Sequence, residues 1–237
     1  MNIRGSVVLV TGANRGLGLA FAREALARGA AKVYAGMRDT TGFAEPGLIP
    51  VRLDVTDPQT IAAAAESCGD VTVVVNNAGI GALTNGALDP ELEAQSRRLF
   101  ETNLYGIVRI SQAFAPILER NRPGAIIDVL SDLTWLVNPV LTAYALSKAA
   151  AWSYTNHLRV QLKPQGTQVL SLHVGFIDTD LTKGLDIPKN DPRDVARHTY
   201  EALEAGESEI MADESTRALK RSLSTATPAY IDPPSHG

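Results

Sequence analysis

Apolar residues in this chain come in two rhythms. In Val7–Val10, Lys32–Ala35, Ile49–Leu53, Val71–Val75, Ala125–Val129 and Gln168–Val174 they dominate successive positions without regular polar alternation, which predicts short strands buried on both faces. Between most of these runs lie longer, Ala-rich segments with helical spacing. The first has an apolar stripe at Leu19, Ala22, Leu26 and Ala27 and predicts a helix from about Gly16 to Gly29, with Gly29 as its C-cap. The segment Asp39–Pro50 carries Gly42, Pro46, Gly47 and Pro50, and predicts a loop or a single helical turn. Pro90–Arg120 predicts one helix or a broken pair, and Ala143–Leu162 another helix. Beyond Thr179 the pattern predicts one helix, a short strand near Ile210 and an irregular tail over residues 222–237, where Pro228, Pro233 and Pro234 stand. Parallel strands need crossovers long enough to hold a helix, so the alternation predicts a doubly wound α/β architecture: a parallel sheet between two helical layers.

Composition narrows the class without changing this picture. A chain of 237 residues can bury a layered core as one domain, and 45% hydrophobic with 20% charged residues is the mix of a globular protein. A formal net charge of -4 offers no basic face for nucleic acid. Cys68 is the sole cysteine, so no intrachain disulfide forms, and a reducing cytoplasm is the expected setting. The apolar run after Arg4 is interrupted at Gly12, Asn14 and Arg15, so no export signal is expected, and no apolar stretch approaches the roughly 20 residues of a membrane span. His157, His173 and His198 are scattered without a metal-ligand pattern, so no metal is expected.

Chemistry enters directly after the first strand, in Thr11-Gly12-Ala13-Asn14-Arg15-Gly16-Leu17-Gly18. Glycines let a strand turn sharply into a helix and let backbone approach a ligand, while the helix N-terminus offers free N–H groups to a pyrophosphate. The same turn without a ligand is the structural alternative. Tyr144 and Lys148, four apart on a predicted helix, share one helical face. A tyrosine with its ordinary pKa of about 10 is a poor base near neutrality, and a neighbouring ammonium is expected to lower that value. An amphipathic pair serving solubility is the plainer reading of the same spacing.

The spacing Thr-Gly-x-x-x-Gly-x-Gly resembles the cofactor turn of short-chain dehydrogenases/reductases, and other stretches match that family in order. They are Asp54-Val55 after the third strand, Asn76-Asn77-Ala78-Gly79 after the fourth, Ser131 after the fifth, and Tyr144-x-x-x-Lys148 thirteen residues beyond that serine. The resemblance implies a Rossmann-like fold. It also implies a catalytic set of Asn103, Ser131, Tyr144 and Lys148, in which Tyr144 exchanges the proton, Ser131 hydrogen-bonds the substrate oxygen, Lys148 also binds the nicotinamide ribose, and Asn103 supports a proton relay. Cofactor contacts implied in the same way are Gly12, Asn14, Arg15, Gly16, Leu17, Gly18, Asp54, Val55, Asn77, Ala78 and Gly79, followed by Gly175, Ile177 and Thr179 beside the carboxamide. Val174 stands where relatives carry proline.

Where NAD-selective relatives place a carboxylate, this chain reads Ala35-Gly36-Met37-Arg38-Asp39. Arg15 and Arg38 could both reach a 2′-phosphate through paired, charge-assisted hydrogen bonds, which favours NADP(H) over NAD(H). A shifted register that puts Asp39 on a ribose would select NAD(H) instead. Asp132, directly after Ser131, is expected to point outward. Ile80, Leu133, Trp135, Val137, Leu181 and Leu185, with Ile187, could form an apolar wall for a ketone or aldehyde, although core packing accounts for each equally well. The activity implied is hydride transfer between NADP(H) and a small carbonyl compound or secondary alcohol. A dehydratase or epimerase on the same fold and a non-catalytic nucleotide sensor are the alternatives. A nucleotide-binding half over about residues 1–130, a catalytic and substrate half over 131–221, and a homodimer or homotetramer through the helices around 96–119 and 143–162 complete the expectations.

Overall fold

The computed structural model describes residues 1–233, and of Leu181 the backbone alone. Seven parallel strands, β1 (Val7–Thr11), β2 (Lys32–Met37), β3 (Leu48–Arg52), β4 (Val73–Asn76), β5 (Ala125–Val129), β6 (Gln168–His173) and β7 (Glu209–Met211), form one sheet in the order β3-β2-β1-β4-β5-β6-β7. All the buried runs predicted as strands pair in this sheet, with β4 shifted toward Asn76. The chain winds outward from β1 to β3, returns to place β4 on the other side of β1, and continues outward. That reversal opens a crevice at the C-terminal ends of β1 and β4, where doubly wound sheets bind ligands.

Helices α1 (Gly16–Ala27) and α6 (Pro192–Glu204) cover one face, burying Leu17, Phe21, Ala25, Val195, Tyr200 and Leu203 with Val8, Val10 and Val75. The other face is covered by α2 (Pro58–Ser67), α4 (Tyr105–Arg120) and α5 (Thr142–Leu162), through residues such as Ile61, Phe114 and Leu158. Both α2 and α6 open on Asp-Pro, with the aspartate accepting a first-turn N–H and the proline's fixed φ already helical. Gly29 closes α1 at φ +83°; its N–H bonds Leu26 O, and that of Ala30 bonds Ala25 O, satisfying the last carbonyls. Residues 39–47 contain no helix, as their glycines and prolines predict. Among the described residues, no helix is long and apolar enough to cross a membrane.

The structure settles one alternative that the sequence left open and adds one helix to those predicted. Residues 90–120 form a broken pair, α3 (Leu92–Asn103) and α4, parted at Leu104, so that Asn103 ends a helix. After β7 a further helix, α7 (Glu214–Ser222), is capped by Asp213, whose Oδ1 accepts the Thr216 N–H at 2.8 Å. The irregular tail therefore starts one residue later than expected, and its last four residues lie outside the described ones.

The sheet is pinned to α5 by polar atoms. Asp128, fully buried on β5, accepts Asn76 Nδ2 from β4 at 2.8 Å and Thr155 Oγ1 from α5 at 2.8 Å. Burial pushes the Asp128 pKa up, while these two donors and the charges of Lys148 and Arg159 pull it back. Thr155→Val keeps the shape and removes one donor, which leaves a buried carboxylate oxygen unpartnered. The expected cost is about 1–3 kcal/mol, read as a lower urea midpoint at unchanged m-value.

Candidate active site

The residues singled out from the sequence gather at the C-terminal edge of the sheet. Gly12 to Gly18 follow β1, Arg38 follows β2, Asp54 and Val55 follow β3, Asn77 to Gly79 follow β4, Ser131 follows β5, and Gly175 to Thr179 follow β6. The first turn is held from β4: Thr11 Oγ1 accepts the Asn77 and Ala78 N–H groups at 3.0 Å each, and Asn77 Nδ2 donates to Thr11 O at 2.9 Å. A Cβ on Gly18 would lie 2.2 Å from Gly12 O, and one on Gly16 would meet Thr179 Cγ2 at 3.2 Å. Both positions need glycine to let helix and turn close up. No side chain caps α1 and its first turn holds no acidic residue, so its N–H groups and positive dipole end face an anion site. Leu17 puts its side chain in the core, and Asn14 is exposed.

At the adenosine end, Asp39 is committed to a local turn, with Oδ1 accepting the Thr41 N–H at 2.9 Å. Arg38 is exposed, and Arg15, also exposed, pairs with Asp180 at 2.9 Å. Asp54 Oδ1 accepts both the Thr56 N–H and its hydroxyl, and Val55 turns its side chain inward, toward Gly106.

The four candidate catalytic side chains come from α3, the turn after β5, and α5. Lys148 is 4% exposed; its Nζ donates to Val129 O at 2.8 Å and lies 5.7 Å from the Tyr144 ring centroid. Burial lowers the Lys148 pKa to about 8, against the opposing charge of Asp128. Asn103, fully buried, exchanges two hydrogen bonds with the backbone of Ile80, each 2.9 Å, and donates to Ser147 Oγ. Gly79 lies between these groups: a Cβ there would be 3.4 Å from Asn103 Oδ1 and 3.8 Å from Lys148 Nζ. Asn103 is the last residue of α3, before the helix break at Leu104, and its side chain is buried.

Tyr144 departs from expectation. Its pKa is raised, not lowered, because burial and the negative charge of Asp132 outweigh the Ser131 hydroxyl. Asp132 is the reason, and it does not point outward: Ser131 Oγ donates to Asp132 Oδ1 at 2.9 Å. A second correction concerns Trp135, which cannot belong to a substrate wall. Its ring is buried, stacked on His173 at 4.0 Å, edge-on to Trp152 at 5.9 Å and 4.4 Å beneath the Lys220 ammonium. Leu133 is also buried, Ile80 is partly covered, and Val137 and Leu185 are exposed. The side chain of Leu181 is outside the described structure. The sequence reading missed His173 as a support: its Nδ1 faces Ser131 O at 3.2 Å, and its Nε2 lies 3.3 Å from Glu209, whose pKa falls to about 2 as His173 and Lys220 outweigh its burial.

A parallel sheet with a glycine turn at its switch point, and a Tyr–Lys pair beside a buried serine and asparagine, define a dinucleotide-binding α/β oxidoreductase. Comparison with known proteins agrees. The profile described as short chain dehydrogenase matches residues 6–190. The 3-oxoacyl-(acyl-carrier-protein) reductase FabG of Vibrio cholerae is 34% identical over 196 residues, 78% of this chain and 79% of that protein. The 1-deoxy-11-beta-hydroxypentalenate dehydrogenase of Streptomyces exfoliatus is 32% identical over 224 residues, 86% of this chain and 81% of that protein. A short chain dehydrogenase from Burkholderia cenocepacia, solved in complex with NADP, superposes with a TM-score of 0.90 at 35% identity over 95% of both chains. The chain belongs to the short chain dehydrogenase family.

The Lys148 titration tests the electrostatics of the site directly. Asp128→Asn removes the charge that opposes burial, so the ammonium should lose its proton at lower pH. Lysine Cε chemical shifts followed against pH should place the midpoint near 8 in the parent protein and lower in the variant; coincident curves would contradict the assignment.

Proposed function

We propose that this chain is an NADP(H)-dependent carbonyl reductase, reversible as an alcohol dehydrogenase, acting on a ketone or aldehyde. The observation that carries the reading is the convergence of Tyr144, Lys148, Ser131 and Asn103 beside the glycine turn. The uncapped α1 N-terminus and the glycines that line its turn suit a dinucleotide. Gly12, Asn14, Arg15, Gly16, Leu17 and Gly18 would hold its phosphates, largely through backbone. Asp54, Val55, Asn77, Ala78 and Gly79 would flank the adenosine, and Gly175, Ile177 and Thr179 the carboxamide. When bound, the nicotinamide supplies or accepts the hydride.

The chain's own residues handle the proton and the developing charge. Tyr144, protonated, donates to the carbonyl oxygen as it becomes an alkoxide, and Ser131 hydrogen-bonds that oxygen. Lys148 holds the nicotinamide ribose and stabilises the tyrosinate left behind. Asn103 fixes the loop after β4 through Ile80 and keeps that loop against α5 through Ser147. Ile80, Val137 and Leu185 remain as apolar surface for the substrate, while Leu133 is buried beneath it. Preference for the phosphorylated cofactor rests on exposed Arg15 and Arg38, with Asp39 occupied elsewhere, and agrees with NADP in the Burkholderia structure. Exposed Leu146 and Val160 on α5 and Tyr105 on α4 are consistent with a homo-oligomer built through these helices. The nucleotide half is assigned to about residues 1–130, and the catalytic half to the remainder through α7.

NADPH oxidation against a panel of ketones and aldehydes tests the activity. Tyr144→Phe should lose at least about a hundredfold in turnover while NADPH binding, followed by fluorescence, stays within a few-fold. Tight binding with no turnover of any compound would instead indicate a nucleotide sensor. Arg38→Asp should cut the preference for NADPH over NADH in kcat/KM by about tenfold, equivalent to 1.4 kcal/mol. An unchanged ratio would refute the assignment of Arg38.

A further inference from the structure

Asp132 is a carboxylate that the mechanism above does not use. It opens the short turn after β5, where its Oδ1 accepts the Ser131 hydroxyl at 2.9 Å and the Leu133 N–H at 2.8 Å. Its Oδ2 faces Gly175, at 3.4 Å from where a Cβ would stand. A hydroxyl has one proton to give. While ionised Asp132 holds that proton, Ser131 presents only lone pairs to Tyr144, and it donates to a substrate oxygen only by turning its hydroxyl away from Asp132.

The charges around Asp132 do not cancel it. Lys148, on α5 with Tyr144, is turned to Val129 O and faces the charge of Asp128. His173 on β6 lies against Glu209 of β7, and Lys220 of α7 pairs with Glu209 at 2.7 Å. Asp213, at the start of α7, adds a second negative charge, and its Oδ2 accepts the Gly175 N–H at 2.9 Å. Among the described residues no cation forms an ion pair with Asp132. A negative field therefore acts on the Tyr144 hydroxyl, and it works in the same direction as burial, toward a raised pKa.

Resting on the carbonyl-reductase reading, we infer that Asp132 is a positioning residue that holds the Ser131 proton and by its charge keeps Tyr144 in its protonated, donating form, biasing the site toward carbonyl reduction near neutral pH. In reduction the Tyr144 O–H bond breaks as the product O–H bond forms, and the hydride comes from NADPH. Oxidation needs the tyrosinate to take the alcohol proton, and the Asp132 charge delays its formation to higher pH. Burial and Asp213 raise the pKa of Asp132 itself, so acidification removes this field earlier than it would that of a surface carboxylate.

The test uses the NADP+-bound protein with tyrosine labelled at Cζ, titrated by NMR, with the Tyr144 signal assigned by its loss in Tyr144→Phe. Asp132→Asn keeps an acceptor oxygen for Ser131 and removes the charge; Asp132→Ser removes the carboxyl group altogether. In both, the Tyr144 midpoint should fall by about one pH unit, a tenfold change in its ionisation, and the pH limb for secondary-alcohol oxidation should move down equally. Retention of NADPH binding verifies that the variants are folded. An unmoved Tyr144 midpoint in both variants overturns the inference. Because that midpoint is read without turnover, a shifted midpoint with no oxidation of any alcohol supports the inference and counts against the carbonyl-reductase reading alone.

Discussion

One buried ammonium group organises this molecule. A charge removed from water is tolerated only when it is paired and hydrogen-bonded, and Lys148 is buried at the junction of sheet and helix. Its needs are met by Val129 O and by the charge of Asp128 on the same strand. Asp128, itself buried, is satisfied only because Asn76 reaches it from β4 and Thr155 from α5. Two central strands and the helix that carries Tyr144 are thereby held in one register, and the ammonium keeps its place beside the tyrosine ring.

The far side of the site is held by the last third of the chain. His173, stacked on Trp135, lies behind the backbone of Ser131, and the half-buried Glu209 and Lys220 pair beside it. Asp213 caps α7 with one carboxylate oxygen and accepts the Gly175 N–H with the other. This second contact fixes the turn after β6, where Val174 replaces a more rigid proline. The C-terminal segment thus braces the backbone of Ser131 and the turn after β6 at once.

The two halves of the site differ in their electrostatics. The nucleotide half presents free backbone donors, a helix dipole and two exposed arginines, and suits an anion. The side that carries Tyr144 contains a tyrosine with raised pKa, a lysine with lowered pKa and a carboxylate joined to Ser131. Opposed shifts on neighbouring groups are the usual mark of a site that moves protons.

The sequence by itself determined the layers, six of the seven strands as buried runs and the seventh as a short strand near Ile210, the glycine turn, and the identity of the residues that meet at the sheet edge. Those features are local: periodicity, turn chemistry and motif spacing are written in neighbouring positions. Tertiary structure alone decided the rest. Whether Asp132 faced solvent or Ser131, whether Trp135 lined a wall or stacked on His173, and whether Asn103 lay on the surface or beneath Ile80 all depended on contacts between elements distant in the chain. The direction of the Tyr144 pKa shift belongs with them, because burial and the field of a neighbouring carboxylate exist only once the chain has folded.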